Sequence, residues 1–238
     1  QNYNFFYDQL EKANLFLQGV IDTRQKPMSD QMVEWLFKNP LSDGGQFTGI
    51  SDIIGKYGVV PKEVMNETFA SDNTSQMASL LKLKLREYGL QLRELPVQTD
   101  MEDIKRIKTE MLGTVYRMLV LNLGEPPLEF TWTRRDINGK PVETKQYTPK
   151  SFYNEYIGKD LTNGYVMLMN DPTREYYKLY EIDYDRHMYD GYNWRYVNLP
   201  VEDIKKMAIA SIKDSTAMYF SCDVIMYPSI AMDYENLQ

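Results

Sequence analysis

Asn39-Pro40-Leu41-Ser42-Asp43-Gly44-Gly45-Gln46 is the stretch on which the fold turns. Its paired glycines permit backbone angles or close approaches that a side chain would block. Phe47, Ile50, Ile53, Ile54 and Tyr57 follow at helical spacing, Gly58 stands where a left-handed C-cap glycine belongs, and Val59-Val60-Pro61 leaves the helix extended. The turn is no phosphate cradle, since it has neither the glycine spacing nor the Lys of one. Before it, the turn formers Asp22, Thr23, Lys26, Pro27, Ser29 and Asp30 lead into a shorter apolar stretch with Met32, Val33, Trp35 and Leu36. Earlier still, Phe6, Leu10, Ala13, Leu17 and Val20 recur every three or four residues from the first positions onward. No cap or leader precedes that helix, so the chain is expected to be a processed product, a fragment or the ordered part of something longer.

Towards the C-terminus, residues 66–75 are polar and turn-rich and form a candidate boundary. Two long amphipathic helices are predicted beyond it, about 74–95 and 99–124, the second opened by a capping box at Thr99-Asp100-Met101-Glu102 and stopped by Glu125-Pro126-Pro127. They read as an antiparallel helical hairpin. Glu129–Thr133 and Val142–Tyr147 flank Asn138-Gly139, a β-hairpin signal. A short helix starts at Thr148-Pro149 and ends at Gly158. Strands are predicted at Tyr165–Met169, Tyr176–Ile182 and Trp194–Asn198, then a helix after Leu199-Pro200 and a strand over Ala217–Val224. Helices first, a mixed middle and strands last make an α+β class the natural one.

Composition narrows the chemistry. Among 238 residues there are 27 Lys+Arg against 34 Asp+Glu, a net charge of −7, with 43 % hydrophobic residues, one His and one Cys. The chain can bury a sizeable core, cannot close an internal disulfide and cannot build a multi-His or Cys-rich metal site. Its acidity argues against phosphate-backbone binding as the main role, and no apolar run is long enough to span a bilayer. Cys222 lies in an apolar strand pattern and reads as a structural thiol. His187, in Asp183-Tyr184-Asp185-Arg186-His187, reads as part of a solvated hairpin tip rather than a metal or acid–base cluster. Generic chemistry therefore yields no complete active site.

Several ordered blocks carry a resemblance. Asn2–Asn14, Asn39–Gln46, Lys56–Lys62, Val64–Thr68, Leu123–Pro127, Asn170-Asp171-Pro172, Asn198-Leu199-Pro200, Ala208–Asp214 and Ser221–Val224 resemble the bleomycin hydrolase and aminopeptidase C family of papain-like cysteine peptidases. The resemblance implies a partial papain-like fold with a large, mostly helical insertion. Residues 1–69 would be part of the helical first lobe, 70–197 the insertion that serves as an oligomerisation hook, and 198–238 the start of the β-rich second lobe.

It also implies that the nucleophilic Cys and oxyanion Gln lie upstream of Gln1 and the catalytic His and Asn downstream of the last residues, so that no catalytic residue falls in this chain. His187 and Cys222 match none of them. Between Val224 and Ile225 the family has a further Gly-containing stretch, so the chain is either shortened there or lacks a loop, which leaves the register of 225–238 open. Substrate binding is what carries over: Gly45 would pair with an extended peptide backbone, Gly44 would set the turn, Gln46 and Phe47 would line the adjoining pocket, and Ser221 would face it. The expected function is a cysteine aminopeptidase without metal or organic cofactor, acting on peptides as a homo-hexamer with no nucleic-acid or membrane partner. The alternative is a non-catalytic fragment or pseudoenzyme serving as a peptide-binding or assembly module. The expected compartment is the cytoplasm, or the periplasm or exterior if a leader is removed.

Overall fold

The computed structural model describes residues 1–42 and 44–218. The chain divides into two compact units, one of Gln1–Val166 with Glu181–Arg195, the other of Met167–Tyr180 with the chain from Tyr196 on.

The first unit is organised around α1 (Asn2–Asp22). Its apolar stripe is as read, with Phe6, Ala13, Leu17 and Val20 buried. Against it pack α5 (Ser75–Glu94) through Met77, Leu81, Leu85 and Leu92, and α6 (Met101–Leu123) through Ile104, Met111, Val115 and Leu119. Burial of each such side chain stabilises by roughly 1.5–3 kcal/mol. The short helices α2 (Gln31–Lys38), α3 (Phe47–Tyr57) and α4 (Phe69–Asp72) lie between α1 and α5 in the chain. Asp30 caps α2 by accepting from the Met32 and Val33 N–H groups at 3.0 and 3.4 Å. Asn2 is fully buried and its amide donates to the carbonyls of Asn66 and Leu123, both at 2.8 Å, tying three distant segments together.

One expected cap is absent. The α6 N-cap is Asp100, and the Thr99 hydroxyl donates instead to the Pro96 carbonyl at 2.7 Å, so a local turn has taken the group that a capping box needs. The β-hairpin forms between β1 (Phe130–Arg135) and β2 (Pro141–Tyr147), antiparallel, but not around a two-residue Asn-Gly turn. Asp136 Oδ1 accepts from the Asn138 and Lys140 N–H groups, both at 2.9 Å, and a register shift falls at Arg134/Arg135. Next, α7 (Pro149–Tyr156) begins with a reciprocal Thr148–Ser151 capping box.

Gly58 closes α3 with φ +78° and ψ −157°, positive in φ as expected but extended in ψ. Its N–H donates to the Ile54 carbonyl at 2.8 Å, and a Cβ there would lie 2.4 Å from the backbone carbon and oxygen of Pro149. Gly58→Ala is expected to destabilise the protein by about 2–3 kcal/mol, the dihedral alone contributing about 1–3 kcal/mol. Thermal unfolding checks this, and a fall in Tm below about 2 °C would contradict it.

The second unit holds β3 (Leu168–Met169), β4 (Lys178–Ile182) as far as Tyr180 and β5 (Trp194–Asn198) from Tyr196 on; β3 pairs in parallel with β5, Leu168 opposite Val197 and Met169 opposite Asn198, and the strand order is β3-β5-β4. Asn198 is fully buried; its amide donates to the Asp171 carbonyl at 2.9 Å while its Oδ1 accepts from the Asp171 N–H at 2.8 Å. Asn170 answers by donating to the Leu199 carbonyl at 3.0 Å. Helix α8 (Val201–Lys213) follows, and Ala217 and Met218 are not in a strand. The rest of the predicted Ala217–Val224 strand lies outside the described residues.

Candidate functional site

Helix α1 carries, beside its apolar stripe, five buried polar residues, Asn2, Asp8, Gln9, Glu11 and Lys12, of which Asp8, Gln9 and Lys12 meet at the glycine turn. Asp8 and Lys12 are four residues apart and therefore share a helix face. Lys12 Nζ sits 2.8 Å from Asp8 Oδ2, with both side chains 8 % exposed. The same ammonium donates to the carbonyls of Ser42 at 3.0 Å and Gly44 at 2.8 Å. Gln9 adds a second donor to the Ser42 carbonyl at 3.0 Å. The carbonyls leading into the glycine turn are thus held from below by α1, two of the contacts charge-assisted.

His187 closes the cluster. The sequence pattern reads it as a solvated hairpin tip, but it is 7 % exposed, and its Nδ1 is in ion-pair contact with Asp8 Oδ1, though not aligned as a hydrogen bond. The imidazole lies over two glycines: a Cβ on Gly45 would fall 1.8 Å from Nε2, and a Cβ on Gly49 2.1 Å from Cδ2. The segment bearing His187 is pinned to α3, because Asp52 Oδ2 accepts from the Tyr192 N–H at 2.7 Å, and is closed on itself by the Trp194 N–H donating to the Asp185 carbonyl at 2.7 Å.

The opposite side of the turn is open. Gly44 and Gly45 are exposed, and among the described residues none hydrogen-bonds to the Gly45 N–H or carbonyl. Gln46 is the N-cap of α3 without a side-chain cap bond. Phe47 opens the helix and packs edge-on against Tyr165 with ring centroids 5.5 Å apart. A cavity of about 880 Å³ lies beside Gly44 and Gly45, walled by Lys12, Phe16, Trp35, Tyr184 and His187 among others. Ser221 lies outside the described residues. The structure therefore puts Gly44, Gly45, Gln46 and Phe47 in one continuous turn and helix start, and adds Asp8, Lys12 and His187.

Electrostatics follow from burial and pairing. Burial would push the Asp8 carboxyl up, but His187 and Lys12 together hold it below the ordinary carboxylate range. Asp52 and Asp185 are pushed up by burial, which outweighs the Tyr192 N–H bond at Asp52 and the Lys12 charge near Asp185. One turn on from Asp8 along α1, buried Glu11 accepts from the Tyr57 hydroxyl at 2.5 Å and pairs with Lys56 at 2.8 Å. Burial and then that carboxylate push the Tyr57 phenol well above its usual value. The signal that could have exposed His187 is the glycine pair at 45 and 49: four residues apart, they leave one bare face that something has to fill.

Comparison with known proteins gives this geometry its context. Residues 1–231 match the Peptidase C1-like family. The chain is 39 % identical over 226 residues to Aminopeptidase C of Listeria monocytogenes, covering 94 % of this chain and 51 % of that protein. It is 36 % identical over 231 residues to bleomycin hydrolase of Homo sapiens, covering 94 % and 50 %. A crystal structure of PepW from Lactobacillus rhamnosis matches with a TM-score of 0.86 and 35 % identity, covering 91 % of this chain and 49 % of that one. The chain thus spans about half the length of the curated relatives it matches. The α+β, papain-like class read from the sequence is the fold observed. No helix among the described residues is long and apolar enough to cross a membrane.

Proposed function

Because the chain belongs to the Peptidase C1-like family, we propose that the protein bearing it is a cysteine aminopeptidase, and that this chain supplies a peptide-binding part of the cleft. The observation that carries the reading is the Gly45 backbone. Its N–H and carbonyl are exposed and take no partner among the described residues, while α1 and His187 fix the turn from the buried side. An extended peptide gains main-chain hydrogen bonds from such a segment at little conformational cost. Gln46 and Phe47 border the path, and Ser221 would face it.

In this reading the nucleophilic Cys and the His and Asn that activate it come from segments outside this chain. A thiolate would attack the first peptide carbonyl, the amine would leave protonated, and water would release the acyl-enzyme. Residues 1–69 and 198–238 would belong to the two lobes of the peptidase, with 70–197 inserted between them and used in homo-oligomer assembly. Relatives named aminopeptidase and bleomycin hydrolase support the substrate class.

The test uses the full-length, reduced protein and an aminoacyl-coumarin substrate. Cleavage is expected, abolished by iodoacetamide and by blocking the substrate's amino terminus. An inactive full-length protein that still binds peptides would overturn the enzyme and leave a non-catalytic peptide-binding module.

A further inference from the structure

We infer that His187 is a positioning residue for the Gly44–Gly45 turn, its imidazole acting as the wedge that sets where the Gly45 backbone is presented. The inference rests on the reading of Gly45 as the backbone that pairs with substrate. Three observations meet at this ring. First, it occupies the Cβ space of two glycines at once, 1.8 Å from the one at 45 and 2.1 Å from the one at 49, so the turn and the first turn of α3 are both seated on it. Second, its Nδ1 contacts Asp8, whose other oxygen binds Lys12, whose ammonium holds the Ser42 and Gly44 carbonyls at 3.0 and 2.8 Å. The ring therefore touches the turn directly from one side and, through two side chains of α1, from the other. Third, it is 7 % exposed beneath an exposed Gly45, so most of its surface is spent on the backbone it supports.

A second glycine makes the wedge separable from the turn it supports. Gly49 is buried in α3 and belongs to no substrate-facing surface, yet a methyl there would fall within the imidazole. Gly49→Ala should therefore displace His187 without touching Gly44 or Gly45, and His187→Ala should remove the ring outright. In a double-mutant cycle the two should not add, because once the ring is gone a methyl at 49 has nothing to displace.

The experiment is made on the full-length enzyme with two readouts: amide hydrogen exchange where the turn meets α3, at the Gly49 N–H that donates to the Gln46 carbonyl at 3.1 Å, and kcat and KM for an unblocked peptide. For His187→Ala and for Gly49→Ala, exchange at the turn is expected to rise about tenfold, that is by about 1.4 kcal/mol of local opening, with α5 and α6 unchanged. KM is expected to rise several-fold with kcat within about twofold, the pattern of lost uniform binding. The double variant should match His187→Ala. Exchange at the turn that stays at the wild-type rate in both variants overturns the inference, as does full additivity of the two. Faster exchange with unchanged KM instead overturns the assignment of Gly45 to substrate, and separates that failure from failure of the wedge. Should His187→Ala not fold, Gly49→Ala decides the matter with the ring still present.

Discussion

Gly45→Ala is expected to lower kcat/KM of the full-length enzyme by about 100-fold, because its Cβ has no place to go. Gly45 does not have a positive φ, so an alanine there is not strained by its dihedrals. The obstacle is steric: the new carbon would lie 1.8 Å from His187 Nε2 and 2.2 Å from Cε1. A flexible side-chain end could swing away, but this ring is buried, packed on Gly49 and engaged by Asp8. The turn must then lift by on the order of 1 Å, a misplacement that costs about 10²-fold where backbone atoms position a substrate. Gly44→Ala is the internal comparison: a Cβ there meets nothing within 4 Å, and the loss should be at least tenfold smaller. Recovery of part of the Gly45→Ala loss by adding His187→Ala would trace the effect to the ring. Equal losses at 44 and 45 would sink the argument.

Much of this arrangement was legible in the sequence because it is written in local periodicity. The α1 stripe, the start of α3 after the glycine pair and the two long helices all follow from apolar spacing that a single face must bury. Where the reading failed, a nearby group had taken the expected partner. Thr99 has the spelling of a cap residue, but the Pro96 carbonyl is closer to hand; Asn138-Gly139 spells a tight turn, but Asp136 organises a longer one.

His187 failed for a different reason. Its neighbours Asp183, Asp185 and Arg186 give a polar local pattern, and its burial is decided by Asp8, Gly45 and Gly49, far away in the chain. Local pattern carries no information about such a meeting. The motif blocks were informative without being explicable from sequence. Asn170-Asp171-Pro172 and Asn198-Leu199-Pro200 turn out to hold each other through reciprocal amide bonds, and Asn2 binds the blocks Val64–Thr68 and Leu123–Pro127 through the Asn66 and Leu123 carbonyls.

Asp8→Ala is expected to destabilise the protein by about 3–5 kcal/mol, the cost of leaving a buried charge without its partner. Lys12 would keep its bonds to two carbonyls but lose its ion pair with Asp8, at a position where only 8 % of its side chain reaches solvent. For a chain of this size that corresponds to a fall in Tm of about 10 °C or more. The effect should also depend on pH in a definite sense. Asp8 is held below its ordinary value in the folded protein, so its contribution is fully present above the unfolded value of about 3.9 and is lost as pH falls through the folded value. The gap in Tm between wild type and Asp8→Ala should be constant from pH 7 to about pH 5 and shrink below about pH 4. Replacing both members, as Asp8→Leu with Lys12→Met, should recover much of the stability, since an apolar pair of similar volume leaves no charge to desolvate. It should not recover the turn, because the Ser42 and Gly44 carbonyls would still lack the ammonium that holds them. A stable double variant with an intact KM would show that the cluster serves stability alone, whereas a stable one with a raised KM separates holding the fold together from holding the turn in place.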